Sequence, residues 1–150
     1  MTIFLRWWLL FCIYAIMAWT LQTFGLFEEL YYADFSKLSF IIIGLFSMLT
    51  LYVGHLTYRL SKGLEVLETH VETCWFFAGE MPTLGLIGTV IGFIVMLTAF
   101  TGLDVNNVES IQRALESMVL GMGSALLTTL TGMVCGFFLK LQLMNLHGKV

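Results

Sequence analysis

Residues 81–99 read MPTLGLIGTVIGFIVMLTA, and residues 118–138 read MVLGMGSALLTTLTGMVCGFF. Each stretch is apolar enough to cross a bilayer, and each carries glycine and hydroxyl residues at helical spacing. In the first, Gly85, Gly88, Thr89 and Gly92 fall at i, i+3, i+4 and i+7, on one face of a helix. Gly88 and Gly92 also form a GxxxG pair. In the second, Gly121, Ala125, Thr128, Gly132 and Gly136 form a stripe flanked by Thr129, with Ser124 and Thr131 beside it. A helix that only anchors a chain has no need of such a stripe. Small residues let helix backbones approach closely where the lipid is as apolar as the side chains. A threonine hydroxyl can bond the carbonyl one turn back, so packing alone would accommodate these threonines. They would equally serve an ion that needs oxygen atoms.

Composition points the same way. The chain has 150 residues, 59% of them hydrophobic and 11% charged, with a mean hydropathy of +0.91. A soluble domain of this size has too little interior to hide so much apolar surface. A spanning helix needs roughly 20 mostly apolar residues, and four such stretches stand out, at about 3–26, 38–60, 82–101 and 118–140. They predict an all-α integral membrane protein, a single membrane domain over 1–150. Residues 1–25 look like a signal peptide at first. Their apolar run is long and no small-x-small cleavage site closes it, so it reads as an uncleaved first span.

With both termini in the cytoplasm, Arg6, Arg59, Lys62, Lys140 and Lys149 fall inside and only Lys37 and Arg113 outside. That bias agrees with the positive-inside rule. Trp7, Trp8, Trp75 and Phe76 then mark the inner interface, and Tyr31 and Tyr32 the outer one. Residues 27–37 and 102–117 are extracytoplasmic in this arrangement, and 61–80 is cytoplasmic. Within 61–80, Leu64, Leu67, Val71, Cys74 and Ala78 recur at helical spacing beside an acidic row of Glu65, Glu68 and Glu72. This predicts a short cytoplasmic extension of the second helix, with the acids on a solvated face or docking a soluble partner. Residues 104–117 read as a helix capped by Asp104 or Asn107, resting on the membrane surface before the last span. Pro82 is expected at the start of the third helix, where its missing N–H does no harm.

Several classes lack their parts. No basic run points to nucleic acid. Cys12, Cys74 and Cys135 are widely spaced and read as small buried hydrophobes, neither a metal set nor a disulfide framework. No nucleophile–base pair, metal cluster or phosphate loop is present, so neither an enzyme nor a cofactor is expected. His55 is the only candidate titratable group at depth. It lies close to Arg59 and the inner interface. If the chain conducts protons, another polypeptide supplies the titrating group.

The run P-x-x-G-L-x-G-T-V-x-G from Pro82 to Gly92 and the run A-L-L-T-T-L-T-G from Ala125 to Gly132 resemble the MotA/TolQ/ExbB family of ion-channel subunits. The resemblance implies a homopentamer around two copies of a single-span partner of the MotB/TolR/ExbD type, whose membrane aspartate carries H+ or Na+. It implies an ion-driven membrane motor in the bacterial inner membrane, with ion flow turning or moving the pentamer against the partner helices. By motif position, Thr89 and Thr129 would line the channel, and Gly85, Gly88, Gly92, Gly132 and Gly136 would keep the helices close. Ser124 falls where transport-energising members can carry a glutamate, so the chain leans towards the flagellar type. The pair Thr128–Thr129 resembles the double threonine of sodium-driven stators, and an extra oxygen suits Na+.

Three features depart from the family pattern. The large cytoplasmic domain between the second and third spans is replaced by 61–80. The proline late in the last helix is absent, since Pro82 is the only proline. The tail after Lys140 is short. These features imply a minimal member whose output passes through the partner's extracytoplasmic domain. On the residues alone, two other readings stay open: a holin-like pore that needs no partner, and a non-conducting membrane scaffold whose glycines serve packing only.

Overall fold

The computed structural model describes residues 2–23, 37–64, 68–98, 100–101 and 106–147. It has four helices: α1 (Thr2–Thr23), α2 (Leu38–Ser61), α3 (Glu68–Thr98) and α4 (Val108–His147). By length and composition, α2, α3 and α4 are able to cross a membrane, while the described apolar stretch of α1 is shorter, Trp7–Ile16. Large apolar side chains line the outside, among them Leu86, Val90, Phe93 and Leu97 of α3 and Leu126, Leu130, Met133 and Phe137 of α4. Helices that are apolar on their exposed faces as well as their buried ones suit a bilayer and not water. The expected residues 27–36, 65–67 and Asp104 lie outside the described residues.

Two helix boundaries differ from expectation. The segment expected to extend α2 belongs to α3. Gly63 ends α2 with a positive φ of 73°. The Gly63 N–H donates to the Leu60 carbonyl at 3.1 Å and the Leu64 N–H to the Arg59 carbonyl at 3.2 Å. This is the Schellman arrangement that closes a helix. Helix then resumes at Glu68 and continues unbroken to Thr98. Residues 108–117, expected as a separate helix on the membrane surface, are likewise the first turns of α4, which runs for 40 residues. At 1.5 Å per residue that is about 60 Å, twice the thickness of a bilayer core of about 30 Å. Asn107 caps it as expected, its Oδ1 accepting the Glu109 N–H at 3.0 Å.

Pro82 is therefore inside α3, not at its start. A helical proline cannot donate to the carbonyl four residues back, here Ala78. That carbonyl faces Gly136 of α4, where a Cβ would sit 3.1 Å from it. Gly136, with no side chain, leaves room on α4 for the freed oxygen.

Among the described helices the antiparallel pair α3–α4 makes the largest contact, and α2 packs across it. The side chains between α3 and α4 shrink along their length. At one end Val71, Cys74 and Ala78 meet Leu139, Leu143 and Leu146, joined there by Trp7, Val53 and Leu56. Towards the other end Gly85, Gly88 and Gly92 meet Gly121, Ala125, Thr128 and Gly132, all buried. There the backbones all but touch. A Cβ on Gly132 would lie 2.6 Å from the Met81 carbonyl oxygen, and one on Gly92 2.7 Å from that of Gly121. Among the described residues, helix α1 rests on α2 and α4 alone. Its Trp7 ring fills the space that Gly54 leaves open, and its Tyr14 hydroxyl donates to the Phe138 carbonyl at 3.4 Å.

Replacing Gly132 by alanine sets a helix-propensity gain of about 1 kcal/mol against backbone overpacking of about 1–3 kcal/mol. At 2.6 Å from a main-chain oxygen the clash wins. G132A is expected to lower the melting temperature in detergent. G123A, which meets nothing within 4 Å, is expected to leave it unchanged or raise it.

Candidate functional site

The glycine-lined contact brings the predicted site residues to one level of the α3–α4 pair and sorts them into two environments. Thr128 and Ser124 are fully buried. The Thr128 hydroxyl lies within bonding distance of the Ala125 carbonyl at 3.0 Å and the Ser124 carbonyl at 3.1 Å. Its side chain fills the space over Gly88. Both residues belong to the packing between helices.

Thr89 and Thr129 are half-buried. The Thr129 hydroxyl reaches across to α3, donating to the Gly85 carbonyl at 3.1 Å, with the Ala125 carbonyl of its own helix at 3.3 Å. A Cβ on Gly85 would lie 2.9 Å from the Thr128 carbonyl and 3.0 Å from the Thr129 Cα. Only a glycine there lets α4 come close enough for that bond. In the helical ladder the same Gly85 carbonyl accepts the N–H of Thr89. The two threonines thus meet at one carbonyl. The Thr89 hydroxyl donates to the Leu86 carbonyl of its own turn.

Both hydroxyls lie on the same edge of the pair. On α3, Leu84 joins the cluster around Ile42 of α2. Thr89, five residues on, stands about 140° away around the helix. On α4, the Gln142 Nε2 donates to the Thr50 Oγ1 of α2 at 3.4 Å. Thr129, thirteen residues earlier, also stands about 140° away. Tyr14 of α1 packs on Phe138, centroids 4.8 Å apart, on the α4 face away from Thr129. Among the described residues, neither α1 nor α2 covers the Thr89–Thr129 edge. Around the hydroxyls that edge is apolar, with Leu86, Phe93 and Met133 exposed.

The chemistry of the edge follows from where the protons go. Each hydroxyl proton is committed to a backbone carbonyl. Each oxygen therefore turns lone pairs outwards, as an acceptor for a cation, a hydronium or a donor on a partner. Gly85, Gly88, Gly92, Ala125, Gly132 and Gly136 are all buried at the interface, as their spacing predicts.

A family model described as the MotA/TolQ/ExbB proton channel family matches residues 47–149, more than half of the chain. The chain belongs to this family. It is a multi-pass membrane protein of a channel family, all-α in its described residues. No curated protein and no solved structure matches it. Two arrangements have little signal in the sequence. One is the contact of Tyr52 with His70, hydroxyl to Nδ1 2.9 Å, which ties α2 to the start of α3. The other is the buried set Tyr14, Thr50 and Gln142. Its only trace is a glutamine in the run FFLKLQLM, which is apolar apart from that residue and Lys140. His55, singled out by its type, is exposed.

Removing the Thr129 hydroxyl as T129V deletes a bond between helices and is expected to cost about 1 kcal/mol. T128V deletes one within a helix whose carbonyls already hold ladder bonds, and is expected to cost less. Thermal unfolding of the two variants in the same detergent checks the order.

Proposed function

We propose that this chain is the ion-conducting subunit of an ion-driven membrane motor. Five copies surround two copies of a single-span MotB/TolR/ExbD-like partner, and a membrane aspartate of the partner carries the ion. The observation that carries the reading is the uncovered α3–α4 edge with the Thr89 and Thr129 oxygens turned outwards. In a ring, five such edges form a lumen that is apolar apart from one belt of acceptors. That belt suits an aspartate that must take up and release a cation in a low-dielectric setting. No Asp, Glu, Lys or Arg falls at the level of this belt in α3 or α4, so the titrating group comes from the partner. Thr89 and Thr129 relay or ligate the ion, and the glycines hold the two helices at the spacing the belt requires.

The geometry favours H+ over Na+. The extra threonine that suited sodium, Thr128, is turned into the packing with its proton on its own helix. Two hydroxyls per copy serve a relay better than a dehydrated cation that needs several oxygen ligands. The location is the bacterial inner membrane, with α1 as the fourth span and both termini cytoplasmic. This is supported by the excess of Arg and Lys on that side. The short 61–80 segment leaves little for a cytoplasmic rotor to grip, so mechanical output passes through the partner's outer domain.

The first test is the native mass of the complex after mild extraction, expressed with its genomic neighbours. Five copies with two of a single-span protein are expected. A dimer or a heterogeneous ring would support a scaffold or a holin-like pore. In the intact complex, T89A and T129V are each expected to reduce ion flux at least tenfold. Flux that survives both would overturn the ion-pathway assignment.

A further inference from the structure

The side of the α3–α4 pair turned away from α2 carries two charges at one depth. Two polar ties to α2 fix that depth. The Tyr52 hydroxyl of α2 lies 2.9 Å from the His70 Nδ1 of α3, and the Gln142 Nε2 of α4 donates to the Thr50 Oγ1 of α2 at 3.4 Å. Glu72 is two residues on from His70, and Lys140 two residues before Gln142. Each is therefore within about 3 Å of its tie in depth and about 160° from it around the helix. Both levels fall inside the run of α2 from Leu38 to Tyr58, which is free of Asp, Glu, Lys and Arg. Thr50 lies nine residues before Arg59, the first charge of that helix, or about 13 Å along it. At this depth Met48 and Leu51 of α2 are exposed. A helix with such a face lies against lipid, and charges at that depth turn to the interior of an assembly and pair. Glu72 is exposed and Lys140 half-buried. Among the described residues the one ion pair is Arg113–Glu109, so neither charge is paired within the chain.

The two charges stand on different flanks. On α3, Glu72 is about 100° from Val71 and 160° from Cys74, which meet Leu139 and Leu143 of α4. It has turned past the shared edge onto the far flank of α3. On α4, Lys140 is about 60° from Leu143 and about 20° from Thr129, eleven residues earlier, so it stands on the edge itself. We propose that Glu72 of one copy of this chain pairs with Lys140 of the next, whose α4 lies against the far flank of α3. The pairing rests on the reading of this chain as a ring subunit. Its two surfaces differ, an acid on α3 meeting a base on α4. Such a contact is head-to-tail, repeats in one direction and closes into a ring. Around the charges both flanks are apolar, with Phe76 of α3 and Phe137 and Met144 of α4 exposed. Two copies joined there would enclose the pair away from water, where the loss of either partner leaves a charge uncompensated. The pairing gives Glu72, read from the sequence as solvated or as docking a soluble protein, a second copy of its own chain as partner.

The test is crosslinking of the whole protein in its native membrane with a membrane-permeant carbodiimide, which joins a carboxylate and an amine in contact as an amide and itself takes up the water lost. E72Q and K140Q chains with different tags are expressed together, along with the genomic neighbours. The first keeps only the lysine and the second only the glutamate, so a Glu72–Lys140 amide must join two copies. A product carrying both tags is expected, with the link mapped to these two residues by mass spectrometry, and none from either variant alone. Absence of that product overturns the pairing. So does a link from Lys140 to a carboxylate of another protein, which would assign the lysine to the helix occupying the lumen.

Charge reversal gives a second readout, by native mass after mild extraction. E72K and K140E are each expected to cut the share of protein recovered as a ring about tenfold or more. The swap E72K/K140E is expected to restore most of it, which a chain that merely misfolds would not do. Intact rings in both single variants, or a swap no better than either, would overturn the pairing and leave the ion-pathway reading standing. Restored rings that conduct no ion would keep the pairing and sink that reading instead.

Discussion

Everything in this chain hangs on how closely α3 and α4 approach. Over the turns from Met81 to Gly92, and from Gly121 to Gly132, the two backbones meet with only small side chains, such as those of Ala125 and Thr128, between them. In lipid, no hydrophobic effect drives helices together, so contact area and short-range attraction must do so. Glycine supplies the contact by removing what would stand in the way. The cross-helix bond from Thr129 to Gly85 exists only at that separation. So does the shared edge on which Thr89 and Thr129 lie. The gradation from leucine and valine at one end of the pair to glycine at the other makes the approach local, and fixes its depth along the helices.

Much of this was legible in the residues. The stripes Gly85–Gly88–Gly92 and Gly121–Ala125–Thr128–Gly132–Gly136 point inwards as their 3.6-residue period requires. The runs around Pro82–Gly92 and Ala125–Gly132 identified the family that the match over 47–149 shows. Helix boundaries were less legible, for a stated reason. Helical periodicity in 64–78 says that the segment is helical but not which neighbour it continues. That was decided by Gly63 at positive φ, a local stop that hydrophobic spacing does not register. Pro82 misled in the same way. A proline is usually read as a boundary, whereas here the partner helix supplies a glycine where the freed carbonyl emerges.

The roles of the individual threonines could not be separated by spacing. Thr128 and Thr129 are adjacent, and each is compatible with a stripe. Only the cross-helix geometry shows that one is filling over Gly88 while the other reaches Gly85. The same limit explains why the Tyr14–Thr50–Gln142 set left so little trace. Its members come from three helices far apart in the chain, and a polar residue near the end of a span is ordinarily read as interfacial.

Pro82 has a mechanical side. The Ala78 oxygen has no ladder bond to lose, so this turn of α3 has one bond fewer to resist bending. The stiff half beyond it, bearing Thr89, is bolted to α4 by glycine contacts. The half before it begins at the Tyr52–His70 tie to α2. Because Gly132 and Gly136 pack against Met81, Pro82 and the Ala78 oxygen, a load bending α3 at this turn would be resisted by contact with α4 and not by the helix's own ladder, so strain along α3 passes to α4 here.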